Sequence, residues 1–573
     1  MRLIPLNIVF RLRNYRFIRL IFRILKDESY RKRFSYARLI EIQEKEISSV
    51  GGANVLTSKL IIVVKVGQRN LRLLQKTLES LEAQRYSNMK VYLVLESNIA
   101  SQVKFEKFDF KVQICSIDQL EKKHLSRKSH TDYLCLMESG DLLQKDTFRI
   151  ISEISSINQY PHAVYTDSDV CGESGGRRDP KCKPEWSPDY FLEYNYLAKG
   201  IFFQLVSLPP NFGAYLHQPF GDANYFILLH MWFQNLQDIV VSSVSYVLYH
   251  EYIVNEVAES SEKVTKLLRT FGQEFGFDVH LRENNRRRIE WHSDESDCLI
   301  SIVIPTKDRV DLLSQCIDSI LEKSIYPNIE IIVVDNSSEE IETSIYLAHI
   351  NKHPKINIIS YPGEFNFSAI NNYAVKFANG HLIAFVNNDI EVITPEWLNH
   401  LASHALRPEI GCVGAKLLYP DDSIQHGGVV IGLGGVAGHA HKREPGDSNG
   451  YMNRLIASQN YSAVTGACLV VRKETFENLG GFDEENLKVA FNDVDLCLKA
   501  LEAGYRNLWL PEAVLYHHES VSRGEDREGD AKKRFEREIA YMKAKWKTDS
   551  KDDPAYNPNL AKYREDFGIK TLD

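Results

Sequence analysis

The 573-residue chain contains no run of eighteen or more apolar residues, so no conventional membrane-spanning helix is expected. Its nine cysteines include no CxxC pair and no Cys/His spacing suited to zinc, which argues against a disulfide framework or a structural metal site and for a reducing cytoplasm. Positive charge is not in surplus either: the formal net charge is −8, which leaves no global basic field to hold nucleic acid. With 44% hydrophobic and 25% charged residues, the composition is that of a folded globular chain. Single cores stop growing near roughly 250–300 residues, so more than one domain is expected.

What basic charge there is gathers at the start. Arg2, Arg11, Arg13, Arg16, Arg19, Arg23 and Lys26 are opposed only by Asp27 and Glu28, while Ile8, Phe17, Ile21 and Leu25 recur at helical spacing. Residues 1–55 read as a basic amphipathic segment, either lying on anionic lipid at the inner face of the cell membrane or packed on the neighbouring domain. The arginines interrupt the apolar core that a secretory signal requires.

An internal repeat then appears, about 240 residues apart. Leu60-Ile-Ile-Val-Val64, a helical pattern over 71–83, Tyr86-Ser-Asn88 and Val91-Tyr-Leu-Val-Leu95 are matched by Ile300-Ser-Ile-Val-Ile304, a helical pattern over 311–323, Tyr326-Pro-Asn328 and Glu330-Ile-Ile-Val-Val334. Strand, helix, strand in this order is a βαβ unit and implies a parallel sheet. The expected organisation is an α/β domain over 56–281, a polar linker over 282–298, a second α/β domain over 299–530 and a helical tail over 531–573. In open parallel sheets, ligands bind beyond the carboxyl ends of the strands. The residues after Ile304, Val334 and the apolar strand Leu382–Val386 should therefore share one crevice: Pro305 to Asp308, Asp335 to Ser337, and Asn387-Asn388-Asp389.

These stretches, in this order, resemble the family-2 glycosyltransferases of GT-A fold over some 225 residues of the second half. VIPTKDR at 303–309 resembles the opening strand and loop, which implies that Pro305, Thr306 and Asp308 line the nucleotide. VVDNSS at 333–338 places Asp335 at the carboxylate that holds the base. FVNNDIEV at 385–392 resembles the DxD-type motif, with Asn387 and Asn388 on the donor and Asp389 on a divalent cation, Mn²⁺ or Mg²⁺. FNDVDLC at 491–497 puts Asp493 at the catalytic base, although Asn492 or Asp493 also suits the N-cap of the helix that follows. In Tyr516-His-His-Glu-Ser-Val-Ser-Arg-Gly524, His517, or failing that His518, completes the cation site and Arg523 meets phosphate oxygens. Gly466, Asp483, Asn492 and His426 fall on the acceptor side, where Gly438-His-Ala-His441 also carries an HxH pair without a clear third ligand.

The resemblance implies two tandem GT-A domains and an inverting, metal-dependent transfer of sugar from a nucleotide diphosphate to a hydroxyl of a glycan or lipid-linked glycan, as in tandem rhamnosyltransferase-like enzymes of surface polysaccharide (O-antigen) synthesis. Asn387 and Asn388 depart from the commoner acidic pattern and leave the cation fewer charges, and Asn492 replaces the usual glutamate beside the base. The first copy reads as degenerate, with Lys65, Val66 and Gly67 where the second has Pro305, Thr306 and Lys307, and Leu95-Glu96 in place of Asp335. Glu138-Ser-Gly-Asp141 stands near its DxD position and leaves a second active site conceivable. The alternative is a non-catalytic glycan-binding or scaffold subunit.

Overall fold

The computed structural model describes residues 28–49, 58–96, 99–121, 125, 129–172, 175–234, 239–252, 260–282, 287–292, 298–518 and 529–570. Its first sheet is built from β1 (Leu60–Val66), β2 (Met89–Leu95), β3 (Val112–Ile114), β4 (Tyr133–Glu138), β5 (Leu142–Leu143), β6 (Ala163–Cys171), β7 (Arg177–Lys181), β8 (Ile201–Gln204) and β9 (Val241–Tyr252). They lie in the order β3-β2-β1-β4-β8-β6-β9-β5, with β7 on β6. A hairpin of β10 (Phe277–Leu281) and β11 (Arg287–Trp291) follows.

The second sheet takes β12 (Ile300–Thr306), β13 (Ile329–Asp335), β14 (Ile356–Ser360), β15 (Leu382–Val386), β16 (Ile390–Val392), β17 (Ile410–Leu418) and β18 (Ile424–His426). After a small ribbon of β19 (Val429–Ile431) and β20 (Ala437–His439), β21 (Cys468–Arg472) and β22 (Arg506–His517) complete it. Its order, β14-β13-β12-β15-β21-β17-β22-β16 with β18 on β17, reproduces the first sheet strand for strand. The tandem α/β architecture expected from the repeat is thus present, with four neighbouring strands parallel and β21 entering antiparallel.

The local reasons are simple. β12 and β15 are almost wholly apolar because helices cover both faces of a parallel sheet. The helix Val310–Lys323 buries Leu312, Leu313, Cys316, Ile317 and Ile320, the stripe that a 3.6-residue repeat turns toward the sheet. Asn366 caps the helix Phe367–Val375 by accepting the Ala369 N–H at 3.0 Å.

Within 282–298, Arg287–Trp291 forms a strand on Phe277–Leu281, because Ile289 supplies an apolar contact amid its charges. The tail is helical over Gly529–Trp546. Beyond it the chain turns irregular and packs between the two halves: Asn557 Nδ2 donates to both carboxylate oxygens of Asp167, at 3.0 and 2.9 Å, and Asp553 accepts from Ser462 Oγ at 2.7 Å. Buried polar pairs join the halves directly. Arg407 Nη1 donates to Asp189 at 2.6 Å, and the Ser458 N–H donates to Glu193 at 2.7 Å. The basic N-terminal cations up to Lys26 lie outside the described residues; the helix Glu28–Ser49 packs on the first sheet through Tyr36, Leu39 and Ile47. Among the described residues, no helix is long and apolar enough to cross a membrane.

Candidate functional site

At the carboxyl ends of the second sheet's strands lies a cavity of about 190 Å³. Five expected site residues line it: Asn387, Gly466, Asn492, Asp493 and His517. Asp493 sits in the first turn of the helix Asn492–Glu502, where the helix dipole favours a carboxylate. Its Oδ2 accepts the Gly466 N–H at 2.7 Å and its Oδ1 the Val494 N–H at 2.8 Å. Burial raises its pKa above the ordinary carboxylate value, and these N–H groups hold the rise in check. A side chain at position 466 would place its Cβ 3.3 Å from the Asp493 Cβ, so glycine there allows the carboxylate its close approach. Phe491, just ahead, is held in the left-handed region at φ 62° with its ring stacked on Phe535 at 5.7 Å.

Asp389 lies behind the cavity wall, buried, with Oδ1 3.1 Å from His517 Nε2. His517 Nδ1 donates to Gln425 Oε1 at 2.6 Å, which fixes the tautomer and turns the Nε2 lone pair toward Asp389 and the Asn387 amide, 3.3 Å away. A carboxylate oxygen and an imidazole nitrogen on one point fit a hard-to-borderline divalent cation that takes its remaining ligands from phosphate and water. Among the described residues, no group of three or more His, Cys, Asp or Glu side chains forms a closed metal cage. His518 faces elsewhere, 3.2 Å from Glu391.

Thr306 and Asn388 link this wall to the next strand, the Asn388 amide donating to Thr306 Oγ1 at 3.1 Å. Thr306 is paired in register with Asp335, which is half-buried outside the cavity lining and accepts from Ser338 N–H and Oγ at 3.1 and 2.5 Å. Asp308 caps the loop before the helix Ile341–Ile350, taking the N–H groups of Glu339 and Glu340 at 2.7 and 2.9 Å. Pro305 is half-buried at the end of β12. Asp483 is turned from the cavity toward Asn486 and Tyr541. Arg523 lies outside the described residues.

His426 is fully buried behind the wall, its Nδ1 2.8 Å from His439 Nδ1. Burial, with His439 and His517 nearby, pushes its pKa well below the ordinary histidine value, so it is neutral. The HxH pair diverges: His439 lines the cavity, whereas His441 bonds Glu444 at 2.8 Å and stacks on Phe567 at 4.3 Å. Gln425 and Lys442, also in the lining, carry no sequence signal that marks them.

Residues 301–480 match the profile described as glycosyl transferase family 2. The chain carries a glycosyltransferase family 2 domain. That domain holds Asp389 and Gly466, while Asp493 and His517 follow it in sequence and complete the cavity. The chain is similar to an uncharacterized protein of Sinorhizobium fredii, 38% identical over 537 residues that cover 89% of this chain and 58% of that one. It is also 33% identical over 421 residues to the O-antigen biosynthesis protein RfbC of Myxococcus xanthus, covering 71% of this chain and 32% of the relative. The O-antigen chain rhamnosyltransferase RfbN of Salmonella typhimurium is 24% identical over 228 residues, 40% of this chain and 68% of the relative. The chain thus spans little more than half the length of the first relative and about a third of the second.

Proposed function

We propose that the chain is an inverting glycosyltransferase that moves a sugar from a nucleotide diphosphate to a hydroxyl of a glycan or lipid-linked glycan, in the synthesis of a surface polysaccharide of the O-antigen kind. The observation that carries this reading is the juxtaposition, in one cavity, of the Asp493 carboxylate with His517 and the Asp389 oxygen behind it. Asp493 would accept the proton of the acceptor hydroxyl as that oxygen attacks the sugar's anomeric carbon, and its raised pKa suits it to hold the proton afterwards. Asp389 and His517 would hold Mn²⁺ or Mg²⁺, which when bound neutralises charge developing on the diphosphate. Gln425 keeps the imidazole oriented for that task. Thr306, Asp335 and Asn388, contiguous along the strand ends, would contact the nucleotide, together with Pro305, Asp308 and Arg523. Gly466, Asn492 and His426 would shape the acceptor side, and the basic segment before Glu28 would hold the protein against anionic lipid at the inner membrane face.

The relatives named for O-antigen work favour a polysaccharide acceptor. A panel of nucleotide sugars, each with and without Mn²⁺, tests the reading by thermal stabilisation. The true donor at a hundredfold excess over its Kd should stabilise the fold by about 2.7 kcal/mol, only in the presence of the cation. A chain that no nucleotide sugar or nucleoside diphosphate stabilises with Mn²⁺ present would sink the proposal.

A further inference from the structure

Because the first sheet repeats the second strand for strand, each position of the site has a counterpart. β5 pairs with β9 through Leu142 and His250, as β16 pairs with β22 through Ile390 and His517. Asp141 immediately precedes Leu142, as Asp389 precedes Ile390. Asp141 and His250 therefore hold the places of Asp389 and His517. The helix Phe220–Gln234 opens on Phe220-Gly221-Asp222, the counterpart of Phe491-Asn492-Asp493. A carboxylate, an imidazole and a second carboxylate thus persist in the first unit.

The difference lies ahead of β8. Gln204 opposes Tyr133 as Arg472 opposes Leu382. Counting back equally from both puts Lys199 where the second unit has Ala467, a lining residue of the cavity. Lys199 Nζ lies 2.9 Å from Asp141 Oδ2 and 3.7 Å from Glu138 Oε2, and its side chain is 14% exposed. Tyr249 also donates to Asp141 Oδ2, at 2.6 Å, and the Tyr252 N–H donates to Oδ1 at 3.0 Å. His250 is turned away, with Nδ1 2.6 Å from Asp169 and Nε2 3.2 Å from Gln144. Burial alone would lower the Lys199 pKa, but Asp141 and Glu138 outweigh it and raise the pKa, so the ammonium stays charged.

We propose that Lys199 is a built-in counter-ion standing in the place of the divalent cation, so that the first unit keeps the outline of the site yet binds neither cation nor donor. This rests on reading Asp389 and His517 as the cation ligands of the second unit. The test is Mn²⁺ binding, followed by the loss of the free-ion paramagnetic resonance signal, in the full chain. Asp389→Asn should bind no Mn²⁺, and Asp389→Asn with Lys199→Gly should bind about one per chain through Asp141 and Glu138. Mn²⁺ binding by Asp389→Asn that a further Asp141→Asn abolishes would overturn the proposal, as would a folded double variant that binds none. If Lys199→Gly fails to fold, Lys199→Met with Asp141→Asn, which removes both charges together, should regain a Tm within a few degrees of wild type; no recovery refutes the counter-ion. Equal Mn²⁺ binding by wild type and Asp389→Asn that a further Asp141→Asn leaves unchanged would instead refute the role given to Asp389, on which the proposal rests.

Discussion

Replacing Asp493 by asparagine should separate its structural duty from its chemical one. As a carboxylate it accepts two backbone N–H groups, from Gly466 at 2.7 Å and Val494 at 2.8 Å. An amide keeps one oxygen for one of them and turns its NH₂ toward the other, so one charge-assisted bond of ~1.5–3 kcal/mol is lost. In compensation, the penalty for burying the charge, which is what raises the pKa, disappears. The net change in stability should stay within ~1–2 kcal/mol, a Tm shift of a few degrees for a domain of this size. Turnover should nevertheless fall ~10²–10⁴-fold if the carboxylate is the general base, a loss of ~3–5.5 kcal/mol in transition-state stabilisation. The assay is transfer of a labelled sugar, with donor binding followed separately by thermal stabilisation and expected to change little. Wild-type kcat/KM should also rise with pH through a limb above the ordinary aspartate value, because the base acts deprotonated and its pKa is raised. Turnover above about a tenth of wild type in Asp493→Asn would refute the base assignment, since general-base removal costs at least ~10²-fold.

Gln425→Leu should weaken Mn²⁺ binding ~10–100-fold while leaving the fold intact, because the imidazole loses the partner that orients it; unchanged affinity in a Mn²⁺ titration would count against the cation role of His517. Arg407→Ala leaves the buried Asp189 carboxylate without its 2.6 Å partner and should cost ~3–5 kcal/mol in urea unfolding. A loss below ~1 kcal/mol would mean that Arg506 and Asn460 suffice. Stability should also depend on pH through the neighbouring carboxylates of Glu193 and Glu512, both of whose pKa values burial raises. A carboxylate with a raised folded-state pKa adds stability below its unfolded value, and that stability is lost as pH rises toward the raised one. Tm should therefore fall between pH 5 and 8, and Glu512→Gln should flatten the fall; an identical slope in both proteins contradicts this.

The architecture was legible because it is written in long, strong signals. Apolar runs such as Ile300–Ile304 and the recurrence of Tyr86-Ser-Asn88 as Tyr326-Pro-Asn328 pointed to two βαβ units, and both tyrosines use the hydroxyl alike, on the carbonyls of Ser58 and Cys298. The cavity residues Asn387 and Asp493 were legible because one follows a recognisable strand and the other opens a helix, whereas His517, at the end of a strand that no apolar run marked, was reached only through the resemblance of its His-His motif. Gln425 was not, since a glutamine on a three-residue strand has no periodicity to mark it and its partner lies 92 positions away. The counterpart of Asp493 at Asp222 was also missed: the apolar run around it, Phe220 to Phe233, is buried nearly all round and hides the helix start. Motif reading marked Asp308 and Asp335 but not their partners: Asp335 holds Ser338 three residues on, whereas Asp308 ties its loop to the N–H groups of Glu339 and Glu340, a contact between two strand ends that no local pattern announces.

The clasp at residues 553–559 sets an order of events in biosynthesis. Asn559 touches Gln43 on the opening helix and the Ser245 carbonyl in the first half, while Asp553 anchors the same segment under Ile431 and Ser462 in the second. All of these partners leave the ribosome before the clasp does, and domains generally fold as they emerge. The halves already meet through Arg407 on Asp189 and Ser458 on Glu193, so this stretch is the last fastening to arrive, and nascent chains halted ahead of Asp553 should leave the buried Asp167 carboxylate without the Asn557 amide that donates to both its oxygens.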